Sequence, residues 1–152
     1  MNKPEILSPA GSREALEAAV RSGADAVYLG ATEFSARRNA ENFDEQQLNE
    51  AVKYCHIRGV RVYLTLNILI SDREMAVAIE VARAAQRAGV DALIVQDLGL
   101  VRLLHKVFPE MPLHASTQMS VHSPSALPAL KELGICQVVA AREMSRDDLA
   151  EL

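Results

Sequence analysis

The feature that most constrains this chain is a glycine that recurs where a helix-like stretch gives way to a β-rich run. It stands at the head of Gly23 to Gly30 (GADAVYLG), Gly59 to Thr65 (GVRVYLT), Gly89 to Gln96 (GVDALIVQ) and Gly134 to Ala140 (GICQVVA). Glycine just past a helix tolerates the left-handed backbone that ends it. Each such junction therefore reads as helix, stop, strand, and strands alternating with helices predict parallel strands joined by right-handed crossovers.

The intervening stretches carry their own start signals. Ser12 is placed to cap a first helix with Leu16, Ala19 and Val20 on one face. Asp44 and Gln47 have capping-box spacing ahead of Leu48, Ala51, Val52 and Cys55. Ser71 and Glu74 repeat that spacing ahead of Met75, Ala78, Ile79 and Ala82, and Asp97 is suited to cap a helix that Pro109 stops. In the fifth unit Ser123 and Pro124 read as a cap and a first-turn proline. Pro128 lies too deep for that start, so the helix begins later or is kinked. A sixth helix is predicted from Ser145, with Asp148 three residues on.

Two architectures fit alternating units: a doubly wound open sheet and a barrel. Strand polarity separates them. In the third strand Val60, Val62, Leu64 and Leu66 fall on one side, and Arg61, Tyr63, Thr65 and Asn67 on the other. In the fifth, Leu113 and Ala115 oppose His114, Ser116 and Gln118. Helices on both faces would demand nearly continuous apolar strands, whereas a barrel interior tolerates polar groups. The expectation is an incomplete TIM-type (β/α) barrel: a single N-terminal domain over residues 1–152 with six of the usual eight units, the remainder of the ring and any C-terminal domain being absent. Its open edges would then invite a homodimer.

Composition narrows the class. Hydrophobic residues make up 49% but aromatics only 4%, with no Trp, so the core is aliphatic. A net charge of −4 argues against a dedicated nucleic-acid wrapper, which needs a basic face. Cys55 and Cys136 lack metal-ligand spacing and read as small buried hydrophobes of a reducing compartment. No apolar run is long enough to span a membrane, and the expected location is cytoplasmic.

Parallel α/β folds gather their sites at the C-terminal strand ends. Those positions hold Ser8 to Gly11, a long loop from Gly30 to Phe43 with Arg37, Arg38, Asn39 and Asn42, then Thr65 and Asn67, Gln96 and Asp97, Ser116 to Gln118, and Arg142 with Glu143. Arg37 could grip a carboxylate or phosphate through its planar fork, or simply be solvated. Asn67 and Gln118 could bond a polar ligand or satisfy nearby backbone. Glu5 and Arg61, early in odd-numbered strands, are placed for a structural ion pair at the barrel foot, and His114 for a buried structural role. No P-loop, Gly-x-Gly-x-x-Gly, Cys-x-x-Cys, His-Glu-x-x-His or nucleophile elbow occurs.

Several strings resemble peptidase family U32, in order and along essentially the whole chain. They are Glu5 to Gly11 (EILSPAG), Gly23 to Gly30, Phe34 to Arg37, Asn42-Phe43, Tyr63 to Asn67 (YLTLN), Asp91 to Asp97 (DALIVQD), His114 to Gln118 (HASTQ) and Arg142 to Ser145 (REMS). The resemblance implies the N-terminal part of a collagenase-like peptidase, acting on peptides. The alternatives are an RNA-modifying (tRNA or rRNA hydroxylation) or quinone-hydroxylating factor whose iron–sulfur cluster lies outside this segment, and a non-catalytic binding or assembly module. It implies no cofactor on the segment itself: the family's cysteine-containing signature is missing, and Cys55 and Cys136 match none of its cluster cysteines. It also raises Arg37, Asn67, Gln118, Arg142 and Glu143 as ligand-binding candidates, with the catalytic residues unassigned.

Overall fold

The computed structural model describes residues 3–36 and 42–151. Six strands alternate with six α-helices: β1 Leu7–Pro9, α1 Arg13–Arg21, β2 Ala26–Gly30, α2 Glu45–His56, β3 Arg61–Leu66, α3 Met75–Ala88, β4 Ala92–Val95, α4 Leu98–Val107, β5 Leu113–Ala115, α5 Leu127–Glu132, β6 Ile135–Val138 and α6 Arg146–Glu151. All strands are parallel, and each lies beside its sequence neighbour, in the order β1-β2-β3-β4-β5-β6. A doubly wound sheet reverses its strand order at a switch point. Here none occurs, so every crossover puts its helix on the same face.

The other face curls inward. Strands two places apart in a flat sheet lie about 9–10 Å from one another. Yet Tyr63 on β3 and His114 on β5 meet edge to face with ring centroids 4.9 Å apart. Asn67, just past β3, reaches Ser116, just past β5, at 3.3 Å. Arg61 on β3 forms an ion pair with Glu5, just before β1. Bridges that skip a strand at the foot, middle and top of the lumen require curvature along its length, and the architecture is an incomplete α/β barrel. Side chains from odd-numbered strands sharing a level is the layering expected of such a lumen.

The polarity read from β3 and β5 is realised. Val62, Leu64, Leu66, Leu93, Val95 and Leu113 join the main core beneath the helices. Ala26, Tyr63, Ala92 and Ile94 form a second, smaller core inside the curl, with Leu7 and Tyr28 against it.

Local signals account for most helix ends. Ser12 Oγ accepts the Ala15 N–H (3.2 Å), Asp44 and Gln47 complete their reciprocal box, and Asp97 Oδ1 accepts the Leu100 N–H (2.8 Å). Asp148 does the same work with Ser145. Ser71 and Glu74 do bond, at 2.5 Å and 2.9 Å, but they close a turn ahead of α3 instead of opening it; the helix begins at Met75. Around Pro124 a single 3-10 turn forms, and α5 starts after it with Pro128 in its first turn, where the missing N–H costs nothing.

The repeated Gly-x-Asp-Ala junction has a purpose beyond stopping a helix. Asp25 accepts the Ile6 N–H at 2.9 Å, and Asp91 accepts the Val62 N–H at 2.7 Å. Each aspartate thus caps the foot of the preceding strand and sets neighbouring strands in register. Gly134 combines a positive φ of +91° with close packing, since a Cβ there would collide with the His105 ring.

A further expectation fails. Cys55 is buried, but Cys136 is exposed. It sits on β6, the last strand of the sheet, which among the described residues has a neighbouring strand on one side only. Among the described residues no helix is long and apolar enough to cross a membrane.

Candidate functional site

All six strands, or the loops that follow them, contribute to a cavity of about 420 Å³ at the top of the lumen. Its floor is apolar, from Leu7, Tyr28 and Ile94, with Val139 at one side. Its rim is polar, from Thr65, Asn67, Ser116, Gln118 and Arg142. Sequence reasoning did not single out these floor residues: β2 and β4 are apolar at successive positions and lack the polar alternation that marks β3 and β5.

Three predicted site residues, Asn67, Gln118 and Arg142, converge here. Their roles differ. Asn67 is a tie: its Oδ1 accepts the Ala36 N–H (3.0 Å), its Nδ2 donates to Ser116 Oγ (3.3 Å), and its own N–H bonds the Phe34 carbonyl (3.1 Å). It fastens the loop after β2 to the top of β5. Ser116 is the pivot of that arrangement, buried and also accepting the Gln118 N–H at 3.2 Å. Thr65 donates to the Leu29 carbonyl (3.2 Å), so its oxygen takes the proton of Ser35 (3.1 Å). Gln118 and Arg142 are exposed, and their side chains bond nothing among the described residues. They are the groups left over for a ligand.

Glu143 is exposed and does not line the cavity. Arg37 lies outside the described residues, as do Arg38 and Asn39; the adjacent Ala36 does line the cavity. The loop carrying them leaves β2 at Ala31 and returns at Phe43, where the two segments form a parallel bridge. Gly30 is required at its start, because a Cβ there would lie 2.5 Å from Ser35 Oγ and 2.6 Å from Asn42 Oδ1.

The polar groups lower in the lumen are paired with one another. Glu5 receives the Tyr63 hydroxyl (3.0 Å) as well as Arg61. Burial, with Arg61 nearby, holds His114 below the ordinary histidine pKa, and burial raises that of Tyr63. His114 is thus a neutral packing residue. Nucleophiles are equally unpromising. Burial pushes the Cys55 thiol up to about 11, leaving little thiolate near neutrality. Cys136 donates its S–H to the Leu113 carbonyl at 3.4 Å. Among the described residues no three His, Cys, Asp or Glu side chains group as metal ligands would. These residues do not fit an iron–sulfur cluster, which needs several converging thiolates.

Fold and cavity together define an incomplete (β/α)-barrel domain with a cavity at its C-terminal strand ends. The chain belongs to peptidase family U32, whose sequence profile matches residues 11–152. It is 37% identical over 150 residues to the tRNA hydroxylation protein P1 of Bacillus subtilis, covering 99% of this chain and 36% of that one. It is 38% identical over 145 residues to the 23S rRNA 5-hydroxycytidine C2501 synthase of Escherichia coli, covering 95% and 22%. A collagenase of Porphyromonas gingivalis is 35% identical over 150 residues, covering 98% and 36%. The chain thus spans roughly a third or less of these relatives' length. In fold it resembles a solved U32 peptidase at a TM-score of 0.70 and 18% identity, covering 92% of this chain and 61% of that structure.

Proposed function

We propose that this domain is the ligand-binding part of an RNA-hydroxylation factor, and that its barrel-mouth cavity holds a small carboxylate. The carrying observation is the cavity itself: a guanidinium and a carboxamide without a partner among the described residues, Arg142 and Gln118, stand over an apolar floor. Arg142 binds the carboxylate through its planar fork, Gln118 orients it, and the floor takes the rest of the molecule. Arg37, on the loop that Asn67 fastens, is a further candidate for the same anion. Glu143, on the strand-six loop, is kept as a candidate for contact with a bound partner outside the cavity. Any iron–sulfur cluster belongs to sequence beyond this segment, and self-association of the isolated domain would use the β1 and β6 edges. Relatives named for tRNA and rRNA hydroxylation support this reading.

The test is complementation. The parent protein is expressed in Escherichia coli lacking its tRNA hydroxylation protein or its 23S rRNA synthase, and hydroxylated nucleosides are measured by mass spectrometry. The expected result is restored hydroxylation that Arg142→Ala loses. No restoration in either strain would overturn the proposal.

A second reading, proteolysis, draws on the collagenase relative. It lacks an activated nucleophile, a metal set or a paired carboxylate among the described residues. Peptide cleavage that survives stringent repurification, and is lost in mouth variants, would favour it.

A further inference from the structure

Beside the mouth lies a second, larger cavity of about 590 Å³, formed by the loops after β3, β4 and β5 and by α5. It shares Gln118 with the first. Resting on the RNA-hydroxylation reading above, we infer that this cavity receives the pyrimidine base of a single-stranded or extruded RNA nucleotide.

Its walls are unusual for loop tips. Leu69 and Leu98 are 72% and 56% exposed yet flank a concavity, and Val121 and Leu130 are buried at its base. Such walls suit the two apolar faces of a flat ring. A base also presents donors and acceptors in its plane, and those need partners confined to one end. Gln96 and Gln118 supply them. Gln96 Nε2 donates to the Gln118 carbonyl at 3.3 Å, which fixes the Gln96 amide and leaves its oxygen available. The Gln118 amide, unbonded among the described residues, offers a donor and an acceptor together.

His122 stands at the rim with Nδ1 2.9 Å from the Ser120 carbonyl. A carbonyl only accepts, so Nδ1 donates that bond and Nε2 is left for a second partner. Ser120 itself has φ +52°, a left-handed conformation for a residue with a Cβ, within the turn that presents Met119 and His122 to the cavity. A peptide side chain would use the apolar walls but leave both carboxamides unmatched. The base uses both, and the shared Gln118 sets it directly beside the small-carboxylate pocket.

Photo-crosslinking tests this assignment. A short single-stranded RNA bearing one 4-thiouridine is irradiated with the protein, and adducts are mapped by mass spectrometry. Adducts are expected on the segment from Leu98 or from Met119 to His122, competed by cytidine. They should fall about tenfold in Leu98→Glu and in His122→Ala, each with an unchanged melting temperature, and persist in Arg142→Ala. Adducts elsewhere, none at all, or competition by N-acetyl-leucine amide instead of cytidine would overturn the inference. The two proposals fail separately: intact complementation without these adducts removes only the base pocket, whereas these adducts without complementation remove only the hydroxylation reading.

Discussion

The foot and the mouth of this lumen are both polar, yet they are built oppositely. At the foot Glu5, Arg61 and Tyr63 satisfy one another, and His114 packs neutral against the tyrosine ring. At the mouth Asn67, Thr65 and Ser116 are consumed in holding loops, while the side chains of Gln118 and Arg142 have no partner among the described residues. Polar groups that complete each other rigidify a fold. Those left over in a concave, half-apolar setting are available for recognition. Chemical type alone does not distinguish the two; partnership does.

The comparison can be broken most forcefully at the foot. Tyr63→Ala should cost about 3–5 kcal/mol, because it empties a buried aromatic site and removes the ring against which His114 packs. Urea unfolding measures this, and a loss under about 1 kcal/mol would mean the foot is not a packed unit. Asn67→Ala, at the mouth but structural, should cost about 1–2 kcal/mol by removing two hydrogen bonds, to the Ala36 N–H and to the buried Ser116 hydroxyl. Arg142→Ala should change stability by less than about 0.5 kcal/mol and abolish RNA hydroxylation in complemented cells. If Arg142 proved as destabilising as Asn67, the division drawn at the mouth would be wrong.

The subtlest contrast is in pH. His114 has a folded-state pKa below its ordinary value of 6.5, so the unfolded chain binds the proton more readily. Its contribution to stability is therefore intact above 6.5 and is lost as pH falls from there toward the depressed folded value. Asp25, Glu17, Glu74 and Asp148, with lowered carboxyl pKa values, withdraw their support only at more acid pH, below about 4.5. Melting temperatures between pH 7 and 5 should drop in the parent chain and drop less in His114→Phe. Equal slopes would show that the ring is not held neutral.

Much of this was legible without coordinates. The glycine stops, the Asp44–Gln47 box and the Asp97 cap act over a few residues, so short strings specify them. The polarity of β3 and β5 was enough to prefer a barrel to an open sheet. Legibility failed where distance along the chain mattered. Ser71–Glu74 has box spacing but closes a separate turn. Asn67 has the chemistry of a ligand contact, but its amide is committed to Ala36 and Ser116. Cys136 lies in an apolar string, but its strand is last in the sheet.

The sequence by itself determined the order of strands and helices, the side of each strand that faces the helices, and the set of polar residues at the strand tips. Those follow from caps, glycine stereochemistry and the two-residue period of a strand, all local physics. Only the tertiary structure decided which of those polar groups are spent and which are free. Hydrogen-bond partnership across β1, β3 and β5 depends on how tightly the sheet curls, and curvature is a property of the whole sheet that no short segment encodes.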